Sequence, residues 1–438
     1  MIQWDKTLLG NGLRVVTVAM PHLHTAEVAL YIKVGGRDDP PAKEGLSHFL
    51  EHMLFRGSQG YPTGLELETA FEAIGGAVNA ATDAETTCVY SRIHPDHVAQ
   101  GVALFASMLR TPLLTDMETE QRIVIEEALD DLNEKGEEVD IDTVTSRLLW
   151  PEHPLGMPTV GTLASISSFT REELREHLGR YYRPNNAVLV AVGRVDHSGL
   201  LRAAEEAFGS WEEGTSPPAV PFAGVQSIPR TLFVQDEDSQ VDLQLAFRGF
   251  PISDGRLMAV RLLRRLLSGG GSSRLHLKLR EEMGVVYSVD AVIAAYTETG
   301  SFSLDFSTAP DNLVAAVAAT LNELRRIVTE LVPPDELARV RSWYLYELEF
   351  GFDSCYDMQV RFGWGEVVGV VWPPEEEQRE VLAVGSENLR EVARILFAPG
   401  NLNLVAVGPL TPPLKKQVRE LVAEYERWYR NELQGNEA

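Results

Sequence analysis

The chain is poor in cysteine and in positive charge, and it has no long apolar run. Only two cysteines, Cys88 and Cys355, occur in 438 residues. That excludes a disulfide framework, and neither lies in a Cys-x-x-Cys pair. Both read as small buried apolar residues, and a reducing cytoplasm fits the count. Lysine and arginine together number 39, against 64 aspartates and glutamates, for a formal net charge of −25. Nucleic acid and anionic membrane are therefore expected to be repelled. Basic peptides would be attracted, although a charged surface kept for solubility explains the balance as well. No apolar run reaches the roughly 18 to 20 residues of a membrane span. The N-terminal stretch MIQWDKTLLGNGLRVV lacks a basic region followed by an apolar one, so no secretory signal is expected and the expected location is cytoplasmic.

What is present is ordinary in bulk, with 44% hydrophobic and 24% charged residues. The length exceeds one compact core and predicts two to four domains. An internal repeat then divides it. LREHLGRYYRPNNAVLVAVG from Leu174 and LREVARILFAPGNLNLVAVG from Leu389 lie 215 positions apart and align without gaps, with ten of 20 positions identical. Each reads as a helix, a proline-marked break and a buried strand. The chain therefore reads as two homologous halves, 1–213 and 231–438. The Pro-, Gly- and Ser-rich stretch 214–230 joins them as an extended linker.

Alternating patterns predict strands at 26–36 and 241–250. Helical periods follow at 43–56, 64–74, 95–110 and 117–134, and again at 255–268, 309–330 and 334–350. Strands gather before and after long helices instead of alternating with them. The expected fold class is α+β, with two homologous halves that each carry a largely antiparallel sheet covered by helices.

The chemistry concentrates in SHFLEHMLFRGS, residues 47–58, which contains H-x-x-E-H as His48, Glu51 and His52. On a helix, positions i and i+4 share a face, so the two imidazoles can converge on one ion. Glu51 lies close to that face. It can reach a metal-bound water and take its proton during attack on a peptide carbonyl. An incidental pair of surface histidines is the plain alternative. The helix, however, is rich in Leu46, Phe49, Leu50, Met53, Leu54 and Phe55, and buried polar groups there need a partner. Catalytic zinc takes three protein ligands and a water. The acidic stretch ETEQRIVIEEALDDLNE, 118–134, is the candidate source of the third. Glu120 and Glu127 are two turns apart and share a face, while Glu126 points about 100° away. Spacing alone does not choose among these three.

These motifs resemble the pitrilysin/insulinase family of inverzincin zinc metallopeptidases, in its short bacterial form related to the mitochondrial processing peptidase. The resemblance covers nearly the whole chain. HFLEHMLFRGS is similar to the zinc helix, and GGAVNAATDAETTCVY (75–90) to the G-G-x-x-N-A-x-T-x-x-E-x-T segment. HPLGMPTVGT, YYRPNNAVLVAVG and GGGSSRLHLKLREEMGVVYSV (269–289) match later blocks. The resemblance implies Glu127, 75 residues after His52, as the third ligand, and Glu120, seven before it, as the carboxylate that orients a ligand histidine. It also implies that Arg280 and Tyr287 of the second half contact substrate near the metal, with the Tyr287 hydroxyl able to donate to a developing oxyanion. The segment 75–90 resembles the edge strand on which substrate adds as a β-strand, with Asn79, Ala80 and Thr82 as the candidate contacts. The glycine run 268–273 is either a substrate-facing loop or a helix break. Met157 departs from the family's usual basic residue, which bears on substrate preference.

At the 215 offset, positions 48, 51 and 52 map to Leu263, Leu266 and Leu267, so the second half is expected to lack a metal site. By resemblance the chain is half of a clamshell. It would be a zinc-dependent endopeptidase with one Zn2+ per chain, in which Glu51 activates a zinc-bound water. It would cleave unfolded peptides in a chamber closed by a second subunit, with a homodimer favoured over a heterodimer. The alternative from another class is a non-catalytic assembly or maturation subunit, against which the retained His48, Glu51, His52 and Glu127 argue.

Overall fold

The computed structural model describes residues 3–434 and holds two sheets, each with helices packed against it. The first sheet contains β1 (Gln3–Leu8), β2 (Arg14–Ala19), β3 (Ala26–Ile32), β4 (Val78–Thr82), β5 (Thr87–Ile93) and β6 (Ala187–Gly193), in the order β1-β2-β6-β3-β5-β4. All its neighbours are antiparallel except β2 and β6. The second contains β7 (Arg230–Gln235), β8 (Val241–Gly249), β9 (Asp290–Ala295), β10 (Gly300–Thr308) and β11 (Leu402–Gly408), in the order β7-β11-β8-β10-β9. Here only β7 and β11 run parallel. The fold is α+β, and both sheets are largely antiparallel.

The second sheet repeats the first without β1. β2, β6, β3, β5 and β4 correspond in order to β7, β11, β8, β10 and β9. β6 and β11 begin 215 residues apart, at Ala187 and Leu402, as do β3 and β8 at Ala26 and Val241. Every residue of β3, β6 and β11 is buried. That is why LVAVG reads as a continuous apolar run, since a strand covered on both faces has no polar alternation to show.

Two compact units result. One comprises Met1–Asp130, Met157–Val220 and Leu348–Pro373, and the other Asp131–Gly156, Pro221–Glu347 and Pro374–Ala438. Each unit takes a segment from beyond the 214–230 stretch. In the first unit, Met358, Phe362 and Val367 pack on Val16, Ala29, Tyr31, Val188 and Val190, and Gln359 Nε2 donates to the Tyr31 hydroxyl at 2.7 Å. In the second, the helix Ile141–Leu149 sets Val144 against Val405 and Val407 of β11. These segments cover the sheet faces opposite the main helical layers. A strand apolar on both faces would otherwise leave one of them in water.

The elements otherwise follow the periodicities, except that the strand expected at 26–36 ends at Ile32, and the chain then bends into a tight turn at Gly36–Asp38. The helix expected at 117–134 ends at Asp130, because Asn133 Oδ1 accepts from the backbone of Lys135 and Glu137 and closes a turn. The strand expected within 75–90 is shorter: β4 ends at Thr82, and the chain turns through 83–86 into β5. The 268–273 run follows the end of the helix Leu257–Ser268. Gly270 there has φ +138, and a Cβ on it would stand 2.2 Å from the Trp343 ring, so the run packs as a tight helix break. Leu263, Leu266 and Leu267 are fully buried apolar residues. Cys88 and Cys355 are free and buried.

The helix Leu46–Leu54 begins from Gly45, at φ +87, and a Cβ there would meet the Val160 carbonyl oxygen at 2.2 Å. Gly45→Ala combines a left-handed backbone with a clash against main chain. It is expected to lower the unfolding free energy by about 1–3 kcal/mol, read from the urea midpoint.

Candidate metal centre

The N-terminus of the helix Leu46–Leu54 is pinned before its polar stripe begins. Asp39 Oδ2 accepts from the Gly45 N–H at 2.8 Å, and Oδ1 accepts from the Ser47 N–H at 2.9 Å and the Ser47 hydroxyl at 2.6 Å. The carboxylate thus satisfies free N–H groups of the first turn. Burial pushes the Asp39 carboxyl up to about 7, against the pull of those hydrogen bonds. Ser47 Oγ also lies 2.9 Å from His177 Nε2 on the buried side of a neighbouring helix. Leu46, Phe49, Leu50, Met53 and Leu54 enter the core. That anchoring leaves His48, Glu51 and His52 along one side.

The two imidazole rings stand edge to face with centroids 4.6 Å apart. Glu127, on the helix Met117–Asp130, places Oε1 3.6 Å from His48 Nε2 and Oε2 3.6 Å from His52 Nε2. One donor atom from each of the three residues lies within 4.8 Å of the others, the one such group of three or more His, Cys, Asp or Glu among the described residues. A tetrahedral zinc ion with bonds of about 2.0–2.1 Å separates its ligands by roughly 3.4 Å. The spacing and the donor set therefore fit zinc. Glu126 is exposed and lies outside the group.

The protonation of His48 supports the same fit. Burial, reinforced by the neighbouring His52, pushes His48 down to about 4, so its ring is neutral at pH 7 and offers a lone pair. His48 Nδ1 is buried and has no hydrogen-bond partner among the described residues. His52 behaves differently. Burial lowers its pKa, but the hydrogen bond to Glu120 and the charges of Glu51, Glu120 and Glu127 outweigh this and raise it. His52 Nδ1 donates to Glu120 Oε1 at 2.8 Å, which turns Nε2 towards Glu127 and leaves its lone pair available to an ion there. Burial also works to raise Glu120, yet hydrogen bonds from His52 and Arg56 hold it below the usual carboxylate range.

Glu51 is 7% exposed, and its Oε2 accepts from Thr82 Oγ1 at 2.5 Å. Burial pushes its carboxyl up, and the Thr82 hydrogen bond and the His52 charge oppose the shift. A carboxyl held up in this way is a better proton acceptor than an exposed one.

The remaining candidates fall in two places. Asn79, Ala80 and Thr82 lie on β4, the outermost strand of its sheet. Asn79 is exposed and Ala80 is half-buried against the core. Arg280 and Tyr287 lie in the other unit, Arg280 in a single π-helical segment, His276–Glu282. The Arg280 guanidinium stands 5.2 Å from the centre of the Tyr287 ring, and Tyr287 is 84% exposed. Three contacts went unread in the sequence: Asp39 on Ser47, Arg56 on Glu120 and Thr82 on Glu51. Arg56 lies two residues beyond the end of the helix Leu46–Leu54, where helical spacing no longer places it. Thr82 and Asp39 are placed only by the fold.

Among the described residues, no helix is long and apolar enough to cross a membrane. Residues 14–163 match the family described as insulinase (peptidase family M16), and residues 168–343 match the peptidase M16 inactive domain. A Streptomyces coelicolor protein named an uncharacterized zinc protease is 27% identical over 95% of this chain and 92% of its own length. A Mycobacterium leprae protein of the same description is 31% identical over 68% of each chain. In structure, a protease from Helicobacter pylori superposes with a TM-score of 0.84 at 20% identity, over 93% of this chain and 100% of that one. With the M16 matches on both halves and relatives named zinc proteases over most of its length, the chain belongs to the insulinase family of peptidases, in its short bacterial form.

Proposed function

We propose that the protein is a zinc-dependent endopeptidase. The observation that carries this reading is the convergence of His48, His52 and Glu127, with Glu51 alongside on the same helix. A zinc ion held there would lower the pKa of a coordinated water to about 7 and polarise the scissile carbonyl. The chain's own residues supply the rest. Glu51 takes a proton from the attacking water and returns it to the leaving amine. Glu120 keeps His52 in the tautomer whose Nε2 faces Glu127. The free edge of β4, at Asn79 and Ala80, pairs with an extended peptide.

Arg280 and Tyr287 hold the substrate carbonyl from the non-zinc half. In a homodimer, one subunit's pair completes the other's site, and the closed chamber admits unfolded peptides only. The location that fits is the cytoplasm. Retention of all three donor residues and Glu51 speaks against a purely structural subunit.

The test joins metal analysis, mass in solution and cleavage of a quenched peptide. One zinc per chain, a dimeric mass and hydrolysis abolished by a chelator are expected. A chain that takes up no zinc, or a zinc-loaded chain inert towards all unfolded peptides, overturns the reading. Tyr287→Phe is expected to lower kcat by about 10²-fold with little change in KM, since one oxyanion donor contributes on that scale. Unchanged turnover would remove Tyr287 from the site.

A further inference from the structure

β4 brings two features to the site, an open edge and a hydroxyl. Among the described residues it pairs only with β5, in a register that runs from Val78 opposite Ser91 to Thr82 opposite Thr87. Thr82 is its last residue, and its Oγ1 donates to Glu51 Oε2 at 2.5 Å. Thr87 is 3.4 Å from Thr82 Oγ1, but its own proton goes to the Val34 carbonyl at 2.9 Å. Each hydroxyl has one proton to give. Thr87 spends its proton on the main chain, so the proton on Thr82 is the one that reaches the carboxylate.

A glutamate carboxylate turns easily about its last torsion, because that torsion is broad and nearly two-fold. A hydrogen bond to one oxygen selects the plane and leaves the other oxygen free. We propose that Thr82 is a positioning residue for Glu51: its hydroxyl holds Oε2, assigns proton transfer to Oε1, and ties the orientation of the base to the strand on which the peptide docks. This rests on the peptidase reading above. It means that the strand receiving substrate also aims the proton acceptor, so docking and base alignment share one element. Thr82 then contributes through Glu51, and contact of its side chain with the peptide is not required. A hydroxyl that merely satisfied a buried carboxylate would affect stability and leave turnover alone.

The test compares zinc-loaded wild-type protein with Thr82→Val, which keeps the shape and loses the donor, and Thr82→Ser, which keeps the donor. Bound zinc, thermal midpoint, kcat and KM on a quenched peptide are measured for each. The expected result for Thr82→Val is full zinc, KM within about twofold and kcat reduced about 10- to 100-fold, the scale of a misplaced reacting group. Thr82→Ser is expected to return kcat to within a few-fold of wild type. Undiminished kcat in Thr82→Val, a loss confined to KM, or a serine variant as impaired as the valine one would each overturn the inference while leaving the peptidase reading intact. Wild-type protein without zinc or hydrolysis overturns both.

Discussion

Glu51→Gln is expected to keep one zinc per chain and to lose hydrolysis by about 10³-fold, within the range general-base catalysis supplies. The substitution is nearly isosteric, so the helix Leu46–Leu54 keeps its packing, and His48, His52 and Glu127 keep their spacing. The amide still accepts the Thr82 hydroxyl through its carbonyl oxygen. What it loses is the capacity to take a proton. Burial magnifies the effect, because a 7% exposed side chain leaves bulk water little room to stand in as the base. Metal content per chain and single-turnover cleavage of a peptide separate the two quantities. Full activity would dismiss Glu51 as the base. Loss of zinc would show instead that Glu51 serves the metal directly.

The second large effect concerns Glu127. Glu127→Ala is expected to weaken zinc far beyond the ~10- to 100-fold that removal of an outer hydrogen-bond partner costs. Glu127 is the residue that spans both rings, with one oxygen 3.6 Å from each Nε2. Without it, two imidazoles remain, one fewer than the three protein ligands of catalytic zinc sites. Its side chain is 43% exposed, so the loss leaves no buried cavity and the metal-free fold should unfold near the wild-type midpoint. Glu126→Ala is the control, being exposed and outside the group. Chelator competition on purified protein gives both affinities. Equal zinc affinity in Glu127→Ala and wild type would rule out Glu127 as a ligand.

Both predictions rest on residues that differ in how far they could be read in advance. His48, Glu51 and His52 belong to one helix, and helical spacing alone puts the imidazoles on one face. The third donor was different. Glu120, Glu126 and Glu127 remained open on spacing, and only the resemblance chose among them. The fold shows the physical reason for the ambiguity. Glu120 and Glu127 do lie on one face, but that face meets the motif helix over two turns, so one carboxylate reaches Nδ1 of His52 and the other reaches Nε2.

The amino-acid sequence by itself determined what is plainly periodic or repeated: β3 and β8, the seven helices with a clear helical period, the duplication at 215 residues, the paired histidines, and the apolar leucines where a second metal site would be. These are local properties, set by which face of an element must be apolar. The tertiary structure alone decided what depends on distant segments meeting. It placed the 348–373 and 131–156 segments with the sheets they cover, and β4 at the sheet edge. It brought Asp39 to the start of the motif helix and the Thr82 hydroxyl to Glu51 across 31 residues. A hydrogen bond between segments leaves no periodic trace in either of them, because each needs only one polar residue at one position and the folded chain supplies the rest.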